Sequence, residues 1–282
     1  MSDQNLNSNI EDEISLKDIV DFLVESWKVT LLTGLLGLVG SITYLWVTPN
    51  QYQATAQIQM AQISANNNNN TNPLGVNIED PNLLMARLKL PTTYSAQEIK
   101  VCGLESSTAA SEALAATARF SAVKGVGSMI ELKINRNSKE IAVACAQSLF
   151  ENIKASQNQI IKPYIEEAKT LLVKYQDRLT YSKSLVSRAD KSGDALSAAY
   201  LANRDEVKFL TEEILRLNTF ITVADTRQAK LVSPIYASDV PVAPKKKIAL
   251  IAGLLVGLFL GLLLMLAKRG YKAYKVSNPS NA

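Results

Sequence analysis

Apolar positions along this chain fall into three patterns, and each predicts a different element. In the first, apolar residues run on without a break. Val29 to Val47 (VTLLTGLLGLVGSITYLWV) and Ile248 to Ala267 (IALIAGLLVGLFLGLLLMLA) carry no charged residue. A helix apolar on all sides and about 20 residues long spans a hydrocarbon core of ~30 Å at ~1.5 Å per residue. Two transmembrane helices are therefore expected, near the two ends of the chain. Trp27, Tyr44 and Trp46 stand at the boundaries of the first, where amphipathic rings favour the interface. A cleaved signal peptide would also explain the first run, with Ala54–Ala56 as its cleavage site. Glu11, Asp12, Glu13, Asp18, Asp21 and Glu25 make the preceding segment too acidic and too long for that reading.

The second pattern alternates. Tyr52, Ala54, Ala56, Ile58 and Met60 take one side and Gln53, Thr55, Gln57 and Gln59 the other, which predicts a half-buried strand. Arg119–Val126 and Ser128–Asn135 predict a strand pair around a Gly125–Gly127 turn, with Ile130, Leu132 and Ile134 inward. The turn lacks the GxxxxGK[ST] pattern of a phosphate loop. Ala229–Ala237 reads as a last strand returning to the membrane. Short helices are expected over Pro81–Leu88 and Ala96–Leu104, and Asn66–Asn70 with Thr71 reads as a polar loop whose sequon is fortuitous.

The third pattern is helical. Asn137 and Glu140 have capping-box spacing, and Ile141, Cys145, Leu149 and Ile153 follow on one face. Ile161, Ile165, Ala168, Leu172, Tyr175, Leu179, Ser182, Val186 and Ala189 then step by fours and threes. After a turn at Asp190–Asp194, Leu196, Tyr200, Asn203, Val207, Leu210, Ile214, Leu217 and Ile221 repeat the steps. Two such helices should pack as an antiparallel hairpin, the first about 30 residues and ~45 Å long. Ser182 and Asn203 interrupt the seam. The fold class is α+β: two transmembrane helices flanking an α/β base that carries a long helical hairpin. The expected division is 1–28, a terminal segment; 29–47, the first span; 48–154 with 223–247, the base; 155–222, the hairpin; 248–267, the second span; and 268–282, a tail.

Composition narrows the chemistry. Histidine is absent, which removes Ser-His-Asp and Cys-His catalysis and His-ligated zinc. Net charge is only +4, without the basic footprint of a nucleic-acid binder. Cys102 and Cys145 are too few for a structural zinc site. They could form one disulfide in an oxidising compartment, whereas in a reducing one Cys145 reads as a small core residue. Acid pairs such as Glu166–Glu167 and Glu212–Glu213 lie on charged helix faces. No catalytic residue, cofactor or metal site is expected. Gly253, Gly257 and Gly261 make two overlapping GxxxG units that invite close approach of another helix, with Gly34, Gly37 and Gly40 a weaker counterpart. The partner of that face is left open. Lys268, Arg269, Lys272 and Lys275 favour a cytoplasmic tail, and Lys245, Lys246 and Lys247 vote the other way.

Several segments, in this order, resemble the chain-length determinant (Wzz-type) family of polysaccharide co-polymerases. Ile14–Leu23 with Trp27-Lys28 is similar to the amphipathic segment before the family's first span, and Tyr52–Ala56 to its first strand. Leu88–Pro91 and Val101–Leu104 resemble its first helical region, and Ser233-Pro234 its approach to the second span. Most specific is Pro241, Pro244, Lys245, Lys246 and Lys247 abutting a GxxxG span, a stiff membrane-approach motif whose lysines can meet lipid phosphates or an anionic glycolipid. The family often has a third proline where this chain has Lys247. The resemblance implies a two-pass inner-membrane protein of a Gram-negative bacterium, with both termini cytoplasmic and its central domain periplasmic. It implies a homo-oligomer that sets O-antigen or related chain length by acting on a polymerase and its lipid-linked polysaccharide, with no catalysis of its own. The alternative is an adaptor for capsule or exopolysaccharide export that offers its cytoplasmic tail to a separate tyrosine kinase; Tyr271 and Tyr274 of this short tail are instead expected at the membrane interface.

Overall fold

The computed structural model describes residues 16–63, 75–105, 107–192 and 198–277. The Asn-rich loop, the expected seam position Leu196 and the tip of the hairpin lie outside the described residues. The chain forms two compact units, Gln51–Pro241 and the pair of terminal segments Met1–Asn50 and Val242–Ala282.

The first element is α1 (Leu16–Val47), in which the described part of the expected amphipathic segment, from Leu16, and the first span form one helix. The central unit then opens with β1 (Tyr52–Gln59) and the short strands β2 (Gln62–Ile63) and β3 (Val76–Asn77). Next come α2 (Pro81–Leu88), capped by Asp80, and α3 (Ala96–Val101), closed by a Ser95–Glu98 capping box. A further helix, α4 (Thr108–Thr117), is capped by Ser107 and matches no sequence expectation. It is followed by β4 (Arg119–Ala122) and β5 (Met129–Arg136). β4 is shorter than predicted because Val123–Val126 closes a turn, with Gly125 at φ +79°. That conformation suits glycine.

All pairing in the main sheet is antiparallel. β5 lies between β4 and β1, and pairs with β1 from Tyr52–Arg136 to Ile58–Ile130 and on to Gln59–Met129. The other edge of β1 takes two fragments, β6 (Lys230–Leu231) and β7 (Tyr236–Ala237). The single strand expected over Ala229–Ala237 is thus divided, and Ser233-Pro234 lies at the break, where proline cannot donate to a ladder. Alternation puts Ala54, Ala56, Ile58, Ile130, Leu132 and Ile134 on one fully buried face. Full burial of each large aliphatic side chain stabilises by about 1.5–3 kcal/mol.

That face is covered by α5 (Lys139–Ser192), a single helix of 54 residues. Its N-cap is Ser138, which accepts from the Ile141 amide, so the helix starts one residue later than the Asn137 spacing predicted. Cys145, Leu149 and Ile153 are fully buried against the sheet. The expected separation near residue 155 is absent, because Gln157 and Ile161 prolong the same face in steps of four. Gln157 is fully buried, accepts from the Ala61 amide (2.9 Å) and donates to Glu79 (3.0 Å). Glu79 in turn pairs with Arg87. Pro163 lies inside the helix, with Ile161 and Ala168 buried on either side. At ~1.5 Å per residue α5 reaches about 80 Å.

The helix α6 (Ala198–Thr226) runs antiparallel to α5, as the pairs Asn158–Gln228, Arg178–Glu206 and Ser182–Glu206 establish. Every described seam residue is buried or half-buried. Ser182 fits the seam because its hydroxyl donates to Glu206 (2.9 Å), and Asn203 turns its amide back to the Ala199 carbonyl. Last comes α7 (Lys246–Ser277). α1 and α7 contain stretches, Val24–Val47 and Lys246–Tyr271, long and apolar enough to cross a membrane.

Arg178, then Ser182, holds the Glu206 carboxyl below the usual glutamate range. A depressed folded-state pKa contributes stability above the unfolded value, near 4.3, that is lost as pH falls through the folded value. Acidification to about pH 3 should therefore lower the thermal midpoint of the native protein more than that of Glu206→Gln. Equal losses in the two proteins would show that the pair does not hold the hairpin.

Candidate functional site

The predicted site residues fall in three places: the facing surfaces of α1 and α7, the start of α7, and the core of the central unit. The first is built from small side chains. In the terminal unit, a Cβ added to Gly257 would lie 2.5 Å from the Thr33 carbonyl oxygen and 3.0 Å from Gly34 Cα. One on Gly253 would strike Ser41, and one on Gly261 would strike Thr33 and Thr30. One on Gly37 would strike the Gly253 carbonyl oxygen. All three glycines of the double GxxxG therefore face α1 of the same chain. The two helices are antiparallel, since Arg269 stacks over Phe22 at one end and Gly253 meets Ser41 at the other.

Gly40 has open space around it and lies off this face. Its place is taken by Ser41, one helical repeat beyond Gly37. Sequence reasoning missed the hydroxyl residues here, although Ser26, Thr30, Thr33, Gly37 and Ser41 recur in steps of three and four. Thr33 donates to the Val29 and Thr30 carbonyls, and Ser41 donates to the Gly37 carbonyl at 2.8 Å. Thr33 and Ser41 are thus satisfied within their own helix, which suits a medium without water, whereas the buried Thr30 hydroxyl has no hydrogen-bond partner among the described residues.

Away from the seam the same helices are apolar and exposed. Leu31, Leu35, Val39 and Ile42 on α1, and Ile251, Leu255, Phe259 and Leu263 on α7, are uncovered. Only 11% and 17% of the two apolar windows is buried, unlike the core helix of a soluble protein.

At the start of α7 the Ala243–Pro244 peptide is cis and Pro244 is half-buried, while Lys245, Lys246 and Lys247 are exposed. Lys246 and Lys247 lie in the first helical turn and Lys245 precedes it, its carbonyl accepting from Ala249. No acidic residue occupies that turn. Three cations therefore stand at the positive end of a helix dipole, an arrangement that favours a nearby anion. Pro241 is half-buried at the end of the central unit.

Cys102, at the end of α3, and Cys145, on α5, form a disulfide with Cα atoms 4.4 Å apart, and both residues are fully buried. The bond joins positions 43 residues apart, and closing such a loop stabilises by roughly 4 kcal/mol in the chain-entropy account. Among the described residues, no cluster of three or more His, Cys, Asp or Glu could hold a metal ion.

Comparison with known proteins agrees with the resemblance read from the sequence. Residues 12–115 match the family model Wzz, chain length determinant protein, which covers α1, the first strands and the helices through most of α4. Among solved structures, a full-length bacterial polysaccharide co-polymerase aligns with a TM-score of 0.45 and 14% identity, over 92% of this chain and 99% of its own. No curated protein matches the chain.

The glycine face yields a direct prediction. Gly257→Leu must push against the backbone of Thr33 and Gly34, at a cost of about 1–3 kcal/mol. Gly40→Leu meets open space. The first should lower the thermal midpoint of the purified protein and the second should leave it unchanged. Equal midpoints would contradict the packing.

Proposed function

We propose that this protein regulates the chain length of a bacterial surface polysaccharide, O-antigen or a related polymer. In this reading it is a two-pass inner-membrane protein with both termini cytoplasmic and the Gln51–Pro241 unit in the periplasm. The observation that carries the proposal is the match of residues 12–115 to the Wzz chain-length determinant family.

Other features support it. The exposed apolar surfaces of α1 and α7 call for lipid as solvent, and their glycine seam gives a reason for the two to insert as a pair. A disulfide in the core of the central unit is at home in an oxidising compartment such as the periplasm. The basic residues after the second span favour a cytoplasmic tail. Lys245, Lys246 and Lys247 then meet lipid phosphates, or the anionic carrier of a lipid-linked glycan, at the outer face of the membrane.

The mechanism is scaffolding rather than catalysis. Off the seam, the helical hairpin exposes Tyr164, Val173, Tyr181, Leu201, Phe209 and Leu215, apolar area suited to packing between copies. Assembled copies hold the polymerase and its growing lipid-linked polymer together, and chain length follows from how long that association lasts. Since the glycine face is filled by α1, the polymerase meets the leucine-rich outer faces of the spans or the central unit instead.

A gel ladder of surface polysaccharide tests the proposal. Deleting the gene should abolish the preferred chain length and leave short chains dominant, and complementation should restore it. An unchanged ladder, with capsule secretion or kinase phosphorylation altered instead, would assign the protein to export.

A further inference from the structure

Strand β5 carries a charge where its alternation calls for an apolar side chain. Ile130, Leu132 and Ile134 point into the core, and the next position on that face is Arg136. It is more than nine-tenths buried. A buried guanidinium is ordinarily matched by a carboxylate and by hydrogen bonds to all of its nitrogens. Here Nη1 donates to the Thr117 hydroxyl (3.2 Å) and the Asn135 carbonyl (2.8 Å), but Nε and Nη2 have no partner among the described residues. Those two nitrogens form the side-on fork whose parallel N–H groups fit two oxygens of one carboxylate or phosphate. Burial also lowers the pKa of this arginine, the mark of a cation that lacks a counter-charge.

Arg136 lines a cavity of about 310 Å³. This is within the range of small-molecule sites, roughly 300–1,000 Å³. A second cation, Arg119, lines it too and has no ion-pair partner among the described residues. Gln51, Asn135 and Asn137 add amide groups, and none of the lining residues is acidic. Cys102 and Gly103 form part of the wall, so the disulfide to α5 steadies it.

We infer that this cavity is a binding site for a compact oxyanion, a carboxylate or phosphate group, held between Arg136 and Arg119. Nε and Nη2 are covered by protein, so a turn of the terminal torsions is what brings the Arg136 fork to two oxygens of the anion, and the amides of Gln51 and Asn137 take the remaining polar atoms. A carboxylate would come from an acidic sugar and a phosphate from a phosphorylated group. The site is independent of the chain-length reading, since it rests on the cavity and on the charge and hydrogen bonding of its own lining residues.

The test uses the full chain in an uncharged maltoside detergent, titrated calorimetrically with sodium phosphate, sodium glucuronate and glucose. Saturable binding of phosphate or glucuronate, with none for glucose, is expected, and the anion that binds identifies the source. Arg136→Lys keeps the charge but loses the fork, and Arg119→Ala removes an exposed side chain whose loss does not threaten the fold. Each should weaken binding about tenfold or more, the loss expected for one charge-assisted hydrogen bond. If Arg136→Lys fails to fold, Arg119→Ala alone decides. Absence of saturable binding by both anions, or affinity unchanged in the folded variants, overturns the inference.

Discussion

The packing of the first turns of α5 on the inner face of β1 and β5 is the interaction on which the central unit depends. Cys145, Leu149 and Ile153 close the core over Ile58, Ile130, Leu132 and Ile134, and the disulfide ties the same turns to α3. Because α5 does not stop there, the sheet also sets the direction of the hairpin. Gln157 and Glu79 act where the helix leaves the core, filling a seam position with hydrogen bonds instead of apolar contact. Beyond that point α5 has a long partner in α6, and the pair is held by a narrow seam with Arg178, Ser182 and Glu206 across it.

The terminal unit obeys a different constraint. In lipid, apolar side chains gain nothing by leaving their solvent, so two spans associate only where backbones come close. Small residues on both helices allow this, glycine on α7 and a mixture of glycine, serine and threonine on α1. The large apolar residues are left on the outside of the pair.

Much of this was legible in the sequence, and the exceptions have physical causes. Uncharged apolar runs, strand alternation and a heptad seam are signals repeated over many residues, and the spans, β1, β5 and the hairpin followed from them. The alanine-rich α4 carries few large apolar residues, so its periodicity is faint, although Ser107 and its high alanine content favour a helix. The continuity of α5 was hidden by Gln157, a polar residue at a core position, and by Pro163. Ser233-Pro234 marked a motif but was not read as a break in the strand. At the candidate sites, the cysteine pairing and the intramolecular partner of the glycines needed three-dimensional proximity. Arg136 stood in plain alternation with Ile130, Leu132 and Ile134, yet a charge at the end of a strand is usually solvated. Only its burial and unfilled fork set it apart.

The proposed topology has α1 and α7 in the inner membrane and the Gln51–Pro241 unit on its outer side. Protease added to intact spheroplasts, with an epitope tag on the C-terminal tail, tests it most directly. With this topology Gln51–Pro241 is cut while a tagged fragment containing α7 survives. Protection of the whole chain until lysis, or loss of the tag from intact spheroplasts, would contradict it.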